Sequence, residues 1–422
     1  MDRIRCGVFS AKTNIPFRAG KLAAERAVRQ TLDSHPALCL VFFSERYASS
    51  DLVDGIIQAV NPEIVAGCST NGEIASGYWR ESVIAIVLST DYMRFGIAVE
   101  DNNNLMKTDE DYYKHLCDNA MYDLQVKMTH HSKIKVSKKN DLVKPDFGIV
   151  LLPGTDNELD PKSNEVIQGL RKHLGNLPLI GGTVGDDCKY ENGYVIYKDE
   201  FLENHTLLIL GKSDLKFSMA QKHSYSIIDD FILNEVNRNN LIKLNNQPAS
   251  EAYFNSIDQP VVEISDMRDE ICAINPLGLI DEKTKELEIL FPMSRGKGAK
   301  EINVSQIIPE GTKLFLTEAD IEQSKKTSLE SIKAAFSSST IKDPRVGLMF
   351  SCVGRSTFYF DRALAEIEEI KKRFKYTDIG GAYLYGTICG QSNWVSEGTT
   401  STLLIGNDLK DELVEKKEEK PK

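Results

Sequence analysis

Paired cysteines are missing from this chain. Its eight cysteines stand singly between Cys6 and Cys389, with no C-x-x-C spacing. That excludes a zinc ribbon or a disulfide scaffold and points to free thiols in a reducing compartment. Histidine is scarce: seven in 422 residues, none of them in the strand-end motifs described below, so the sequence shows no triad-like grouping around them. No apolar run approaches the roughly 18 residues of a membrane span. The N-terminal MDRIRCGVFSAKTNIPF has no apolar core after its charges, so no signal peptide is expected. An excess of positive charge is lacking as well. The formal net charge is −11 with no long basic stripe, which argues against a nucleic-acid footprint. A cytoplasmic protein with no membrane insertion is the expectation.

What is present is a repeated phrase. VAGCSTNGEIASG at 65–77, LIGGTVGDDCKYENG at 179–193 and IGGAYLYGTICGQS at 379–392 each run from a short apolar stretch into clustered glycine and small polar residues. The surroundings repeat too. Before the first phrase, the pattern predicts strands at Arg5–Ser10, Leu38–Ser44 and Ile64–Ala66, with helices near Ala19–Leu32 and Ser50–Val60. The helices show 3.6-residue apolar spacing and the strands continuous apolar runs. A second copy reads strand Phe95–Val99, helix Asp109–Leu124, strand 147–154 and helix Asn164–Leu174. A third reads KLFLTEA at 313–319, helix Ile321–Phe336, VGLMFSCVGR at 346–355 and helix Phe360–Phe374. Strand pairs follow the first two phrases, at 82–100 and 205–221, and TSTLLIGND at 400–408 begins one after the third. The fold class expected is α/β: mixed sheets with helices on their faces, built from three β-α-β-α-β-Gly-turn-β repeats. The domain reading is 1–222, holding repeats 5–100 and 95–221, then 223–408, holding an insertion at 223–312 and the third repeat at 313–408. In the insertion, a helix is expected within Ile232–Ile242 and strands at Val261–Ile264 and Leu287–Phe291. The lysine-rich 129–145 reads as a solvated loop. The charged tail 409–422 has too little apolar content to pack.

The sequence resembles the FIST sensory proteins, which pair an N-terminal with a C-terminal FIST domain. The residues that carry the resemblance are VAGCSTNGEIASG, LIGGTVGDD, LNNQPASEAYF at 244–254, IIPEGTKLFL at 307–316, FSCVGR at 350–355 and IGGAYLYG. It implies a cytoplasmic small-molecule sensor for ligands such as amino acids. Relatives are fused to signalling output domains in bacteria and archaea, and to an F-box in eukaryotes. Two departures stand out: Thr387 replaces the family's usual carboxylate in the third phrase, and only the tail follows Asp408. The implied partner is therefore a separate signalling output protein.

Read for their chemistry, residues beside the glycines form the candidate set. Ser69, Thr70, Glu73, Thr183, Asp186 and Asp187 supply hydroxyl and carboxylate groups suited to an ammonium or hydroxyl. Arg355, just past a buried strand, could hold a carboxylate with its planar fork. Set against it is a purely structural pairing of Arg355 with Asp186, Asp187 or Glu73. Tyr383 and Tyr385 alternate with Leu384 and would face one way on a strand, walling a pocket or filling a core. Cys68 and Cys352 follow strands and complete the ligand-binding set. As nucleophiles they would need a base to lower their pKa, and no histidine is placed to do so. No catalytic or metal-ligating residue is assigned and no cofactor is expected. His130–His131 lacks zinc spacing, GTDNELD at 154–160 lacks calcium-loop spacing, and RGKGAK at 295–300 lacks the phosphate-loop frame. Besides the sensor, two alternatives stay open: an adaptor carrying an exposed apolar patch, and a cysteine-dependent enzyme.

Overall fold

The computed structural model describes residues 2–33, 35–75, 80–104, 109–130, 143–154, 162–259, 269–293, 300–358 and 363–410. The expected three repeats are there, in one common order. The first runs β1 (Ile4–Ala11), α1 (Pro16–Thr31), β2 (Leu38–Ser44), α2 (Ser50–Ala59), β3 (Val65–Thr70), β4 (Glu73–Ile74) and β5 (Val83–Thr90). The second runs β6 (Met93–Asp101), α3 (Asp109–His130), β7 (Phe147–Leu152), α4 (Lys162–Leu174), β8 (Leu179–Thr183), β9 (Tyr194–Tyr197), β10 (Glu200–Glu203) and β11 (His205–Ser213). The third opens on β12 (Leu215–Lys222) and is then interrupted by the insertion. That insertion holds β13 (Tyr225–Asn237), β14 (Asn240–Leu244), β15 (Gln247–Pro248), α5 (Ala249–Ser256), α6 (Asp269–Ile274), β16 (Leu277–Ile280), β17 (Leu287–Leu290), β18 (Pro292–Met293), β19 (Ile302–Val304) and β20 (Lys313–Ala319). The third repeat resumes with α7 (Ile321–Ser324), α8 (Thr327–Ser337), β21 (Pro344–Cys352), α9 (Ala363–Arg373), β22 (Asp378–Leu384), β23 (Gly386–Gly390) and β24 (Thr400–Leu409).

Within the repeats the sheet orders match: β1-β5-β2-β3, β6-β11-β7-β8 and β12-β24-β21-β22. Each contains one parallel pair, β2/β3, β7/β8 or β21/β22. The short strand after each glycine phrase leaves its own sheet and extends another. Thus β4 pairs with β22, β9 with β3, and β23 with β8. These exchanged arms close the three units into a ring.

The continuous apolar runs explain the layering, since a strand covered on both faces needs no polar alternation. In LCLVFFS, Leu38, Leu40 and Phe42 face a core shared by all three sheets, while Cys39, Val41 and Phe43 face α1 and α2. The same division holds in β7, where Phe147, Ile149 and Leu151 face the shared core and Val150 and Leu152 face α3 and α4. An edge-on contact of Phe42 with Phe350 at 5.7 Å links the first and third sheets there. Helices thus lie outside, and the three inner faces meet. The insertion has its own core, around Phe231, Leu233, Tyr253 and Phe254.

Three expectations are corrected. KLFLTEA does form a strand, β20, but it pairs with β13 and β16 inside the insertion. The strand that opens the third repeat is instead Leu215–Lys222, paired with β24. Apolar content marks a strand but says nothing about which sheet receives it. Ile232–Ile242 is not a helix: Val236 pairs with Leu241 across a hairpin whose turn includes Arg238 at φ 57°. The buried Phe231 and Leu233 already carry the period of two that marks a strand. The expected helix Ile321–Phe336 is broken into α7 and α8. The strand expected at Val261–Ile264, and most of 129–145, GTDNELD, RGKGAK and the tail, lie outside the described residues.

Candidate functional site

The three glycine phrases meet at the carboxyl ends of the parallel pairs, where ligands of α/β sheets usually sit. They are joined by a cyclic set of backbone hydrogen bonds. Gly185 N donates to Ser69 O at 3.2 Å, Tyr385 N to Thr183 O at 3.0 Å, and Asn71 N to Tyr383 O at 2.8 Å. This convergence brings together Cys68, Ser69, Thr70, Glu73, Thr183, Asp186, Asp187, Tyr383 and Tyr385. Cys352 joins them through its Sγ–H, which donates to Tyr385 O at 3.1 Å.

Most of these groups are spent on one another. Ser69 Oγ donates to Gly185 O at 2.5 Å and accepts from Tyr194 N at 3.0 Å. Thr183 Oγ1 donates to Ser163 Oγ at 2.9 Å. Asp186 was expected as a ligand acceptor, but its carboxylate sits in a cage made by its own loop. It accepts from the backbone N–H of Lys189, Tyr190, Glu191 and Asn192 at 2.6–3.1 Å and from the Tyr385 hydroxyl. It fills the anion position of a backbone nest. Burial and the Asp186 charge push the Tyr385 phenol up, which keeps it a donor. The two tyrosines do not wall one pocket. Tyr383 packs under α8 and α9, whereas Tyr385 lies beyond the end of β22 and stacks on Tyr190 with ring centroids 4.6 Å apart. Burial pushes the Cys68 thiol up, and the Cys352 thiol up to about 12.

Glu73 on β4 is fully buried. It accepts from Thr70 Oγ1 at 2.8 Å, Ser82 Oγ at 2.6 Å and Ser82 N at 3.3 Å. Burial outweighs those donors and pushes the carboxyl up to about 8 from 4.5. The folded state therefore holds a proton that the unfolded chain releases. Stability from this group falls as pH rises from about 4.5 to about 8, by up to about 1.4 kcal/mol per pH unit. Urea unfolding at pH 6 and pH 8 should show Glu73→Gln losing less stability than the parent over that interval; equal slopes would overturn the assignment. Thr387 takes the corresponding place in the third unit, opposite Gly182 as Glu73 is opposite Ala382. Its hydroxyl bonds those of Thr399 and Ser401 at 2.7 and 2.9 Å, a neutral replacement for the carboxylate.

Arg355 lies apart from this acidic cluster, which corrects the expected clamp. It is fully buried, with Nη2 3.0 Å from Glu366 Oε1 of α9. Nη1 donates to Ser328 Oγ at 3.0 Å, Ser351 Oγ at 2.7 Å and Thr400 Oγ1, and Nη2 also donates to Ser324 O at 2.6 Å. Past Cys352 the chain winds into a short 3₁₀ helix, Val353–Phe358, and the guanidinium ends among groups of α7, α8, α9, β21 and β24. A ligand carboxylate would have to displace Glu366 to reach it.

At the open part of the junction Asp187 was an expected contact, but its neighbours Glu45, Arg46, Lys12 and Lys189 were not foreseen. Asp187 is half-buried; Ser44 Oγ donates to it at 2.7 Å, and the backbone N–H groups of Glu45 and Arg46 also bond it. Desolvation still raises its carboxyl. Around it Lys189 pairs with Glu45, while Lys12 and Arg46 share Glu81 at 2.8 and 3.2 Å. Asp187, Cys188 and Tyr190 have φ of 59°, 64° and 58°. Asn71 supports this loop by accepting from Asp186 N and Cys188 N at 3.1 and 2.9 Å. Its sequence signal was the Asn-Gly pair, which reads only as a turn. Among the described residues no group of three or more His, Cys, Asp or Glu could hold a metal, and no helix is long and apolar enough to cross a membrane.

The family model for the FIST N domain matches residues 37–247, and that for the FIST C domain matches 253–390. An uncharacterized protein of Methanocaldococcus jannaschii is 22% identical over 346 residues, 77% of this chain; the chain spans 62% of that relative's length. A cyanuric acid hydrolase from A. caulinodans aligns with a TM-score of 0.37 and 11% identity, covering 95% of this chain and 99% of its own. A second cyanuric acid hydrolase structure gives 0.34 and 8%, covering 96% and 99%. FIST domains are in general sensory domains of signalling systems. The chain belongs to the FIST family, as a FIST N domain followed by a FIST C domain.

Proposed function

We propose that this chain is a cytoplasmic sensor that binds an amino acid or similar small zwitterion at the corner around Asp187 and relays its state to a separate output protein. The observation that carries this reading is a break in the threefold repeat. In the first and third units the glycine phrase passes into its arm strand after Gly72 and Tyr385, whereas in the second Asp186–Gly193 intervenes. Three non-glycine residues in that loop hold left-handed φ, at a cost of order 1 kcal/mol each. Strain of this kind persists where the surroundings over-determine it, and it gathers at ligand sites. The side chains beside it carry both signs. Asp187 and Glu45 can accept from an ammonium; Arg46, Lys12 and Lys189 can hold a carboxylate.

A thermal-shift screen of the twenty amino acids against the full chain, with Asp187→Asn and Arg46→Ala, tests it. A ligand at about 100 times its dissociation constant adds about 2.7 kcal/mol, and the shift should vanish in Asp187→Asn and shrink in Arg46→Ala. No shift with any amino acid, or one unchanged in both variants, would sink this reading. The second reading is an adaptor, favoured by the exposed Ile227, Ile228 and Ile232 on β13 of the insertion, an apolar strip of the kind partners cover.

A further inference from the structure

Between β23 and β24 the chain from Gly390 to Thr399 runs along β17, the edge of the insertion's sheet. This strap is anchored from the second unit. Arg171 of α4 donates to Gly390 O at 2.9 Å and to Ser392 O at 3.1 Å through Nε and 2.7 Å through Nη2. On its other side the strap grips the insertion. Glu397 N donates to Ile289 O at 3.0 Å, Ile289 N to Ser396 Oγ at 2.9 Å, and Ser392 Oγ to Glu288 Oε1 at 2.7 Å. Phe291 N donates to Glu397 Oε2, and Gln306 Nε2 to Val395 O. Gly398, at φ 59°, packs under the Tyr225 ring.

Two carboxyls are sealed in this seam: Glu288 from the insertion, 3% exposed, and Glu397 from the strap, 7% exposed. Among the described residues neither takes part in an ion pair. The titratable groups facing Glu288 are Asp281 and Glu286 of the insertion and Cys389 of β23. Those facing Glu397 are Cys352 of β21 and Tyr225 of β13. None is a cation. Two nearby cations are engaged elsewhere: Arg171 on the backbone carbonyls above, and Arg355, close to Cys352 and Tyr225, on Glu366.

We propose that this seam is a proton-controlled latch: with both carboxyls protonated the strap holds the insertion against the third unit, and their ionisation loosens it. Hydroxyl and amide donors to these carboxyls favour the ionised form, but burial outweighs them and the seam offers no cation to balance two anions. Burial pushes Glu288 up to about 7 and Glu397 up to about 8, both from 4.5. Since both are raised above 4.5, the latch is tightest at acid pH and loosens progressively as pH rises from about 4.5 to about 8. The device is independent of the corner around Asp187.

Hydrogen–deuterium exchange of the full chain at pH 6.5 and 8.5, corrected for intrinsic exchange, tests it. Peptides covering 286–293 and 390–399 should lose protection by about tenfold or more, the scale of one pKa unit, while those in β2 and β7 hold theirs. In Glu288→Gln/Glu397→Gln the seam should stay protected at both pH values. The amide oxygens still accept from Ser392 and Phe291, and each single variant keeps about half the response should the double variant fold poorly. No loss in the parent, an equal loss throughout the chain, or a double variant that behaves as the parent would overturn the latch. Glu73→Gln, which removes a raised carboxyl bonded to Thr70 and Ser82 and not to the strap, should leave the seam's response as it is.

Discussion

Arg355→Met is expected to lower unfolding stability by about 3–5 kcal/mol. The guanidinium bonds a carboxylate, three hydroxyls and a backbone carbonyl in a site with no solvent exposure. Removing it strands Glu366 as a buried charge, and the penalty for an uncompensated charge exceeds the net value of the pair. That distinction gives the test. Arg355→Met/Glu366→Gln should recover much of the loss, because it leaves no charge behind, although two groups are changed instead of one. Arg355→Lys should fall between, since one ammonium cannot span acceptors arranged for a planar fork. Urea midpoints at fixed pH, with slopes checked for constancy, measure all three. A loss below about 1 kcal/mol in Arg355→Met would mean that the pair is solvated. A ligand response surviving in Arg355→Lys would separate this structural role from binding.

The sequence was legible wherever a property is local. β2 and β20 were delimited correctly because a short apolar run, six residues in LCLVFFS and Leu314–Leu316 in KLFLTEA, bounded by polar residues, has few other readings. Which sheet each would join was not legible. Leu215–Lys222 and Lys313–Ala319 are both plausible openings for a third repeat, and only pairing with β24 distinguishes them. The repetition of the glycine phrase marked three like strand ends, but that groups placed alike in three similar units close on each other was not legible. The partners of individual side chains were hidden. Glu366 sits in ALAEIEEIKKR, where it resembles the other helix acids, yet it faces inward while Glu368 is exposed. Arg355 therefore had several acidic partners of equal standing in the sequence. Asp186 was misread for the opposite reason: its partners are backbone N–H groups, which every sequence supplies.

Gly67→Ala, Gly181→Ala and Gly381→Ala should each cost about 3 kcal/mol or more, or prevent folding. These glycines hold the same position in the three units, in register with Val41, Val150 and Met349 of the neighbouring parallel strand. A Cβ there would stand 1.8 Å from Val41 O, 1.9 Å from Val150 O and 1.7 Å from Met349 O. The atoms met are backbone, so no rotamer change relieves the clash, and the strands must part by more than an ångström. Parting them pulls on the carboxyl ends at which Ser69, Thr183 and Tyr383 link one unit to the next, so the damage spreads around the ring. Gly347→Ala in the same third sheet is the control: its nearest neighbours are side-chain atoms at 3.4 Å, an ordinary contact, and it should change stability by less than about 1 kcal/mol. Soluble yield, circular dichroism and urea midpoints of the four variants decide the matter. If any of the three tolerated alanine as well as Gly347 does, close strand approach would not be what requires glycine there, and ligand contact would become the better explanation for that copy of the phrase.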